Sequence, residues 1–319
     1  MRVVVTRRLP GEAVELLRLH GHDVWIWDSD RPIPREALLE QAVEADGLLT
    51  LLTDRVDEEL LRQAPRLRVV ANMAVGYDNI DLMAAERHGV IVTNTPGVLT
   101  ETSAEFALTL IFAVARRLKE AIRWVERGRW VTWDPLLLLG IDLQGATLGL
   151  VGYGRIAAAV ARRARALGMR VLYDARSVHT EDEEQLGIER RALKELLAMS
   201  DIVSLHVPLS AQTYHLIGYE ELRWMKRSAF LVNTARGGVV DPQGLERALR
   251  EGVIAGAALD VTEPEPLPHD HPLVQLDTCL VVPHIASASV ATRARMAQLA
   301  AENIVAVLRG GLALTPVRG

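Results

Sequence analysis

Cysteine is nearly absent. Cys279 stands alone among 319 residues, which rules out an intramolecular disulfide and any cysteine-based metal cluster. Long uncharged apolar runs are missing too, none approaching the ~18 residues of a membrane-spanning helix. No basic block occurs, and 36 Lys and Arg against 41 Asp and Glu leave a net charge of −5, which argues against nucleic acid as a main partner. The sequence opens on a strand pattern, Arg2 to Thr6, without a charged-then-apolar leader, so a cytoplasmic protein with no membrane partner is expected. Low-complexity segments and short repeats are absent, and lysine is confined to Lys119, Lys194 and Lys226. What is abundant is apolar: 49% of residues, against 24% charged, enough for two domains of ordinary size.

The first hundred residues alternate short apolar runs (Val3–Thr6, Val24–Trp27, Gly47–Leu52, Val69–Met73 and Val90–Asn94) with helical patterns such as Gly11–His20, Pro34–Ala45 and Val56–Gln63. That rhythm indicates a doubly wound α/β domain. One long helix is predicted from about Thr102 to Arg127. A second series predicts six strands: Thr147–Val151, Arg170–Asp174, Ile202–His206, Ala229–Asn233, Ala255–Leu259 and Cys279–Val282. A last helix, about Ser289 to Arg309, is expected to return to the first domain. The predicted division is 1–98 with 288–319, and 99–287.

Val151-Gly152-Tyr153-Gly154-Arg155-Ile156-Ala157 follows a strand and opens a helix, as the G-x-G-x-x-G/A fingerprint of dinucleotide-binding folds requires. Gly152 permits the tight turn, Gly154 lets backbone approach a pyrophosphate, and Ala157 keeps helix and strand close. The first N–H groups of the helix, at Arg155 and Ile156, would face the phosphates. Asp174 ends the next strand, 22 residues after Gly152, where a carboxylate can accept bonds from ribose hydroxyls and favour NAD. Arg176, two residues on, could instead attract a 2′-phosphate, so NADP stays open.

Three chemically active residues follow separate apolar runs: Arg236 after Phe230–Ala235, Glu265 in the proline-rich loop after Ile254–Leu259, and His284 after Leu280–Pro283. In an open parallel sheet, ligands bind outside the carboxyl ends of strands, so a cation, a carboxylate and an imidazole can converge on one small molecule. These groups anchor an anion and move a proton, as keto-acid reduction demands. Taken singly each has a bland reading: a surface arginine, a solvated loop glutamate, a structural histidine. Glu263 competes with Glu265 for the carboxylate role. His269-Asp270-His271 invites a metal reading, but Pro268 and Pro272 suggest an exposed loop and no further ligand cluster stands out, so no metal is expected.

The ordered motifs Val75-Gly76-Tyr77-Asp78-Asn79-Ile80-Asp81, Asn94-Thr95-Pro96-Gly97, the Gly152 fingerprint, Asn233-Thr234-Ala235-Arg236-Gly237, Leu259-Asp260-Val261 through Glu265-Pro266, and Pro283-His284-Ile285 span nearly the whole chain. With them it resembles the D-isomer-specific 2-hydroxyacid dehydrogenases, closest to glyoxylate and hydroxypyruvate reductases. The resemblance implies a Rossmann NAD(P)-binding domain, a discontinuous flavodoxin-like substrate domain completed by the C-terminal helix, and a homodimer. It implies Arg236 on the substrate carboxylate and keto oxygen, His284 as general acid/base and Glu265 as its partner. The backbone N–H groups of Val75 and Gly76 would clamp the carboxylate, Leu51 would line the substrate, and Trp133 would reach into the partner's active site. Thr102, Val207, Pro208, Thr213, Thr234, Ala235 and Asp260 join Gly152, Gly154, Arg155, Ile156, Asp174, Arg176, Arg236 and His284 as implied cofactor contacts.

Ala157 replaces the more frequent glycine, and Asp174 stands where several glyoxylate reductases lack an acid. A D-3-phosphoglycerate dehydrogenase is the alternative substrate assignment and would need a further cation for the phosphate. Formate-type relatives would carry glutamine at 265. Related co-repressors, which sense nucleotide without turnover, are the alternative of another class.

Overall fold

The computed structural model describes residues 1–317, which form two compact units, Met1–Leu99 with the segment from Ala288 onward, and Thr100–Ser287. The first hundred residues give β1 (Arg2–Val5), α1 (Ala13–Leu19), β2 (Asp23–Ile26), α2 (Arg35–Ala42) and β3 (Gly47–Thr50). They continue with α3 (Glu58–Gln63), β4 (Val69–Asn72), α4 (Leu82–Arg87) and β5 (Ile91–Thr93). Next come α5 (Thr100–Ala115), α6 (Leu118–Glu126), β6 (Thr147–Val151), α7 (Arg155–Ala166), β7 (Arg170–Asp174), α8 (Thr180–Leu186) and β8 (Glu189–Arg190). The rest are α9 (Leu193–Met199), β9 (Ile202–Leu205), α10 (Tyr219–Trp224), β10 (Phe230–Asn233), α11 (Pro242–Arg250), β11 (Gly256–Leu259), α12 (Pro272–Gln275), β12 (Cys279–Val281) and α13 (Val290–Leu308).

In the first unit the strands run parallel in the order β2-β1-β3-β4-β5, the flavodoxin-like arrangement. Both faces are covered, so β3 and β4 are buried throughout. Leu38, Leu60, Leu61 and Ala84 from α2, α3 and α4 pack on Val4, Leu48 and Val70. On the opposite face α13 comes so close that a Cβ at Gly47 would meet Ile304 at 3.3 Å.

The second sheet is parallel in the order β12-β11-β10-β9-β6-β7-β8, a Rossmann order with its direction reversing between β6 and β9. Ala107, Ile111, Val160 and Ala161 of α5 and α7 cover one face, and Leu196, Leu222, Leu245 and Ala248 of α9, α10 and α11 cover the other. Each fully buried leucine or isoleucine there contributes about 1.5–3 kcal/mol.

Two expectations need correction. The sheet has a seventh strand, β8, whose two residues on the edge are too few to leave a hydrophobic pattern. The helix predicted from Thr102 to Arg127 is two helices, broken at Arg117, which has φ 51°. The Ala115 carbonyl at the break accepts the Ile141 N–H at 2.9 Å, and a Cβ at Gly140 would lie 2.1 Å from that oxygen. A distant segment thus takes over the helix end, and the Arg117 guanidinium turns to Glu120 at 2.6 Å.

Among the described residues, no helix is long and apolar enough to cross a membrane, and no group of three or more His, Cys, Asp or Glu could hold a metal ion. His271 instead caps α12, its Nδ1 accepting the Leu273 N–H at 3.2 Å.

Candidate active site

At the switch point of the second sheet, Gly152 has φ 90°, and a Cβ there would lie 2.8 Å from the His206 carbonyl, so only glycine fits. The Gly154 Cβ position has no protein atom within 4 Å, leaving the backbone approachable. Gly154 caps α7 without a side-chain acceptor, so the first-turn N–H groups of Arg155 and Ile156 point outward uncapped. Ala157 is fully buried. Asp174 sits half-buried at the end of β7, where burial pushes its carboxyl above the usual range and the Arg190 charge pulls it back. Arg176 is exposed on the following loop. Past β9, Val207 is half-buried and Pro208 exposed, and the Thr213 hydroxyl ties their loop by donating to the Pro208 carbonyl at 2.6 Å. Past β10, the Thr234 hydroxyl is buried with no hydrogen-bond partner. Thr102 lies on the first turn of α5. An open glycine turn, uncapped helix amides, a carboxylate at the second strand end and an orphan hydroxyl fit a dinucleotide.

Arg236 is set by its neighbours. The Asn233 side chain accepts the Ala235 N–H at 3.0 Å and donates to the Arg236 carbonyl at 2.9 Å, closing the turn after β10. The backbone of Gly237 presses on the 262–263 peptide; a Cβ would fall 1.9 Å from the Thr262 carbonyl oxygen. This contact fixes the arginine turn against the loop that carries Glu265.

His284 and Glu265 meet, with Nδ1 2.6 Å from Oε1. The histidine backbone is left-handed at φ 53°, which costs roughly 1–2 kcal/mol for a side chain of this kind. Asp260 imposes it. Its carbonyl accepts the His284 N–H at 2.8 Å, while its carboxylate accepts the N–H groups of Ile285 at 2.7 Å and Ala286 at 2.9 Å. Burial raises the Asp260 carboxyl and those two amides oppose the rise. Asp260, expected as a cofactor contact, therefore aims its carboxylate at the His284 loop. For Glu265, burial pushes the carboxyl up, but the His284 hydrogen bond and charge, the Thr262 N–H and Arg236 outweigh it and hold the group below its usual range.

Glu263, the competing acid, lies elsewhere: Oε2 is 2.7 Å from His215 Nε2, and Tyr214 donates to Oε1 at 3.2 Å. No sequence signal separates the two glutamates beyond their distance from Pro266. The anchoring roles of Asn233, Gly237 and Asp260 also escape a reading of the sequence, although Gly237-Gly238 marks a close approach.

In the first unit, Leu51 lies half-buried on the loop after β3, its N–H donating to the Asp54 carboxylate at 2.8 Å. Val75 and Gly76 are on the loop after β4, and among the described residues neither N–H has an acceptor. Trp133 is 80% exposed on the segment after α6.

The family model for the NAD binding domain of D-isomer specific 2-hydroxyacid dehydrogenases matches residues 108–286. The glyoxylate reductase of Aeropyrum pernix is 54% identical over 313 residues, 97% of this chain and 93% of that protein. The crystal structure of the TT0316 protein from Thermus thermophilus superposes with a TM-score of 0.94 at 49% identity, covering both chains fully. That of an NADPH-dependent glyoxylate/hydroxypyruvate reductase from Sinorhizobium meliloti, with NADP and malonate, gives 0.85 at 33% identity, covering 99% of this chain and 96% of that one. With a nicotinamide-binding Rossmann unit and relatives matching from end to end, the chain belongs to the D-isomer specific 2-hydroxyacid dehydrogenases.

Proposed function

We propose that this protein reduces small 2-keto acids to D-2-hydroxy acids with NADH or NADPH, glyoxylate and hydroxypyruvate being the leading substrates. The observation that carries this reading is the 2.6 Å His284–Glu265 pair, with Arg236 near enough to lower the Glu265 carboxyl. A bound reduced nicotinamide supplies the hydride. Arg236 offers a permanent charge and a planar fork to the substrate carboxylate and keto oxygen. His284, held through Nδ1 by Glu265, presents Nε2 to the oxygen on which negative charge grows and gives up its proton there. In the first unit, we assign the Val75 and Gly76 N–H groups as carboxylate ligands, with Leu51 lining the substrate.

The test is loss of reduced-nicotinamide absorbance with NADH or NADPH and a panel of glyoxylate, hydroxypyruvate, pyruvate and phosphohydroxypyruvate. Rapid oxidation with either of the first two supports the reading. Preference for the phosphorylated acid moves the assignment to D-3-phosphoglycerate dehydrogenase, and cofactor binding without turnover moves it to a nucleotide-sensing protein.

NAD is the assigned cofactor, on the strength of the Asp174 carboxylate at the β7 end. Replacing Asp174 by Ala is expected to narrow the NADH-over-NADPH preference in kcat/KM by about tenfold, the worth of a hydrogen bond to a charged group. An unchanged ratio would place the ribose carboxylate elsewhere.

The reading includes a cytoplasmic homodimer. Phe112 is 44% exposed, Leu118 49%, Ile122 50% and Val125 56%, and they continue into Trp130, Val131, Trp133 and Leu136. A contiguous apolar surface of this kind marks an interaction site, and a second copy would cover it while bringing Trp133 to its partner's substrate. Light scattering on the wild type and on Ile122→Glu checks this: a dimer that dissociates in the variant is expected, and a monomeric wild type would sink it.

A further inference from the structure

In the first unit, one side chain ties together the loops that follow β3 and β4. The Asn79 amide donates from Nδ2 to the Leu51 carbonyl at 3.2 Å and to the Asp54 carbonyl at 2.8 Å. Its Oδ1 accepts from Asn72 Nδ2 at 3.2 Å, and the same Asn72 nitrogen donates to the Gly76 carbonyl at 3.0 Å. Asn72 is fully buried at the end of β4, where its Oδ1 accepts the Thr50 hydroxyl at 3.1 Å. The Asn79 backbone adds to the brace, its carbonyl accepting the Val56 N–H at 3.0 Å.

This wiring follows from the free amides it supports. A loop usually holds its shape by pairing its own N–H groups. The Val75 and Gly76 N–H groups have no acceptor among the described residues, so the segment they occupy must be held by its carbonyls and by side chains. Asn94 Nδ2 holds the Val75 carbonyl at 2.8 Å, and Asn72 holds that of Gly76. Asn79 joins that segment to the Leu51 loop by its side chain. All three are neutral amides, which can donate to carbonyls without adding a negative charge beside an anion's ligands.

We propose that Asn79 is a positioning residue for keto-acid binding: it fixes the Val75–Gly76 amides against the Leu51 loop, so that the substrate carboxylate meets a preformed pair of donors. The proposal rests on the assignment of those amides to the carboxylate, made above. Preorganised donors spare the substrate the cost of ordering the loop, so the clamp acts on binding more than on the chemical step.

The experiment uses two variants of the full chain. Asn79→Asp keeps the shape but turns two donors into acceptors facing carbonyls; Asn79→Ser removes the reach without adding charge. Both are expected to raise the KM for glyoxylate by about tenfold or more, the effect of leaving two carbonyls unpaired, with kcat changing less than about threefold. Affinity for NADH, read by fluorescence, should stay within about twofold, because the fingerprint loop belongs to the other unit. A KM within about twofold of wild type in a folded Asn79→Ser would overturn the proposal, as would equal losses in kcat, KM and NADH binding. Failure of both variants to fold, read by circular dichroism, would make Asn79 a residue of the fold and overturn it too. A wild type inert toward glyoxylate and hydroxypyruvate would overturn the carboxylate assignment itself, which is a different result from an active wild type with unaffected variants.

Discussion

His284→Ala is expected to slow keto-acid reduction by about 10²–10⁴-fold, the usual worth of a positioned proton donor. The loss should fall on kcat, since the imidazole acts on charge that develops only in the transition state. Alanine is strained at the left-handed φ of 53° that Asp260 imposes, so His284→Asn, which tolerates that conformation better, serves as the second variant. Either variant, folded and retaining near-normal kcat, would remove His284 from the chemistry. Replacing Glu265 by Gln probes the same pair. The carboxyl is held below its ordinary value of 4.5, so it is ionised across the neutral range, where it holds the imidazole through Nδ1. Glu265→Gln should therefore lower kcat by about tenfold or more, and an unchanged kcat would deny the coupling. On the stability side, a depressed carboxyl contributes above its unfolded value, and the contribution is lost as pH falls through the folded one.

Much of the fold was legible because parallel strands buried on both faces leave unbroken apolar runs, as at Thr147–Val151 and Phe230–Asn233. The helix break at Arg117 was not, since neither Arg116 nor Arg117 carries a local stop signal. A segment more than twenty residues on, at Gly140 and Ile141, makes the break, and such contacts leave no trace in helical periodicity. The fingerprint at Gly152 read directly, because backbone geometry demands glycine there whatever lies around it. The choice between Glu263 and Glu265 did not. Both stand before prolines in one short loop, and their different partners, His215 and His284, come from two other loops. Asp260 was visible as an acid at a strand end, but its bonds to the Ile285 and Ala286 amides depend on how the β12 end folds back. Residue type announced the chemistry in these places; tertiary contacts distributed it.

Arg236→Ala should lower kcat/KM for keto acids by about 10²–10³-fold, because it leaves a substrate carboxylate and a developing oxyanion without their charged partner, a loss of about 2–5 kcal/mol. Part of the loss should appear in KM and part in kcat, since the carboxylate is present throughout while the oxyanion grows only as hydride arrives. NADH binding should change little if the side chain serves the substrate. Arg236→Lys separates charge from shape. Lysine keeps the cation but loses the planar fork, so it should recover only a small part of the rate. Full recovery would mean that charge alone suffices; an unchanged kcat/KM in the alanine variant would take Arg236 out of the site. The turn itself should survive either change, because it is closed by Asn233 and by the backbone of Gly237 against Thr262. An inactive but folded Arg236→Ala would therefore report on the guanidinium and not on a collapsed loop.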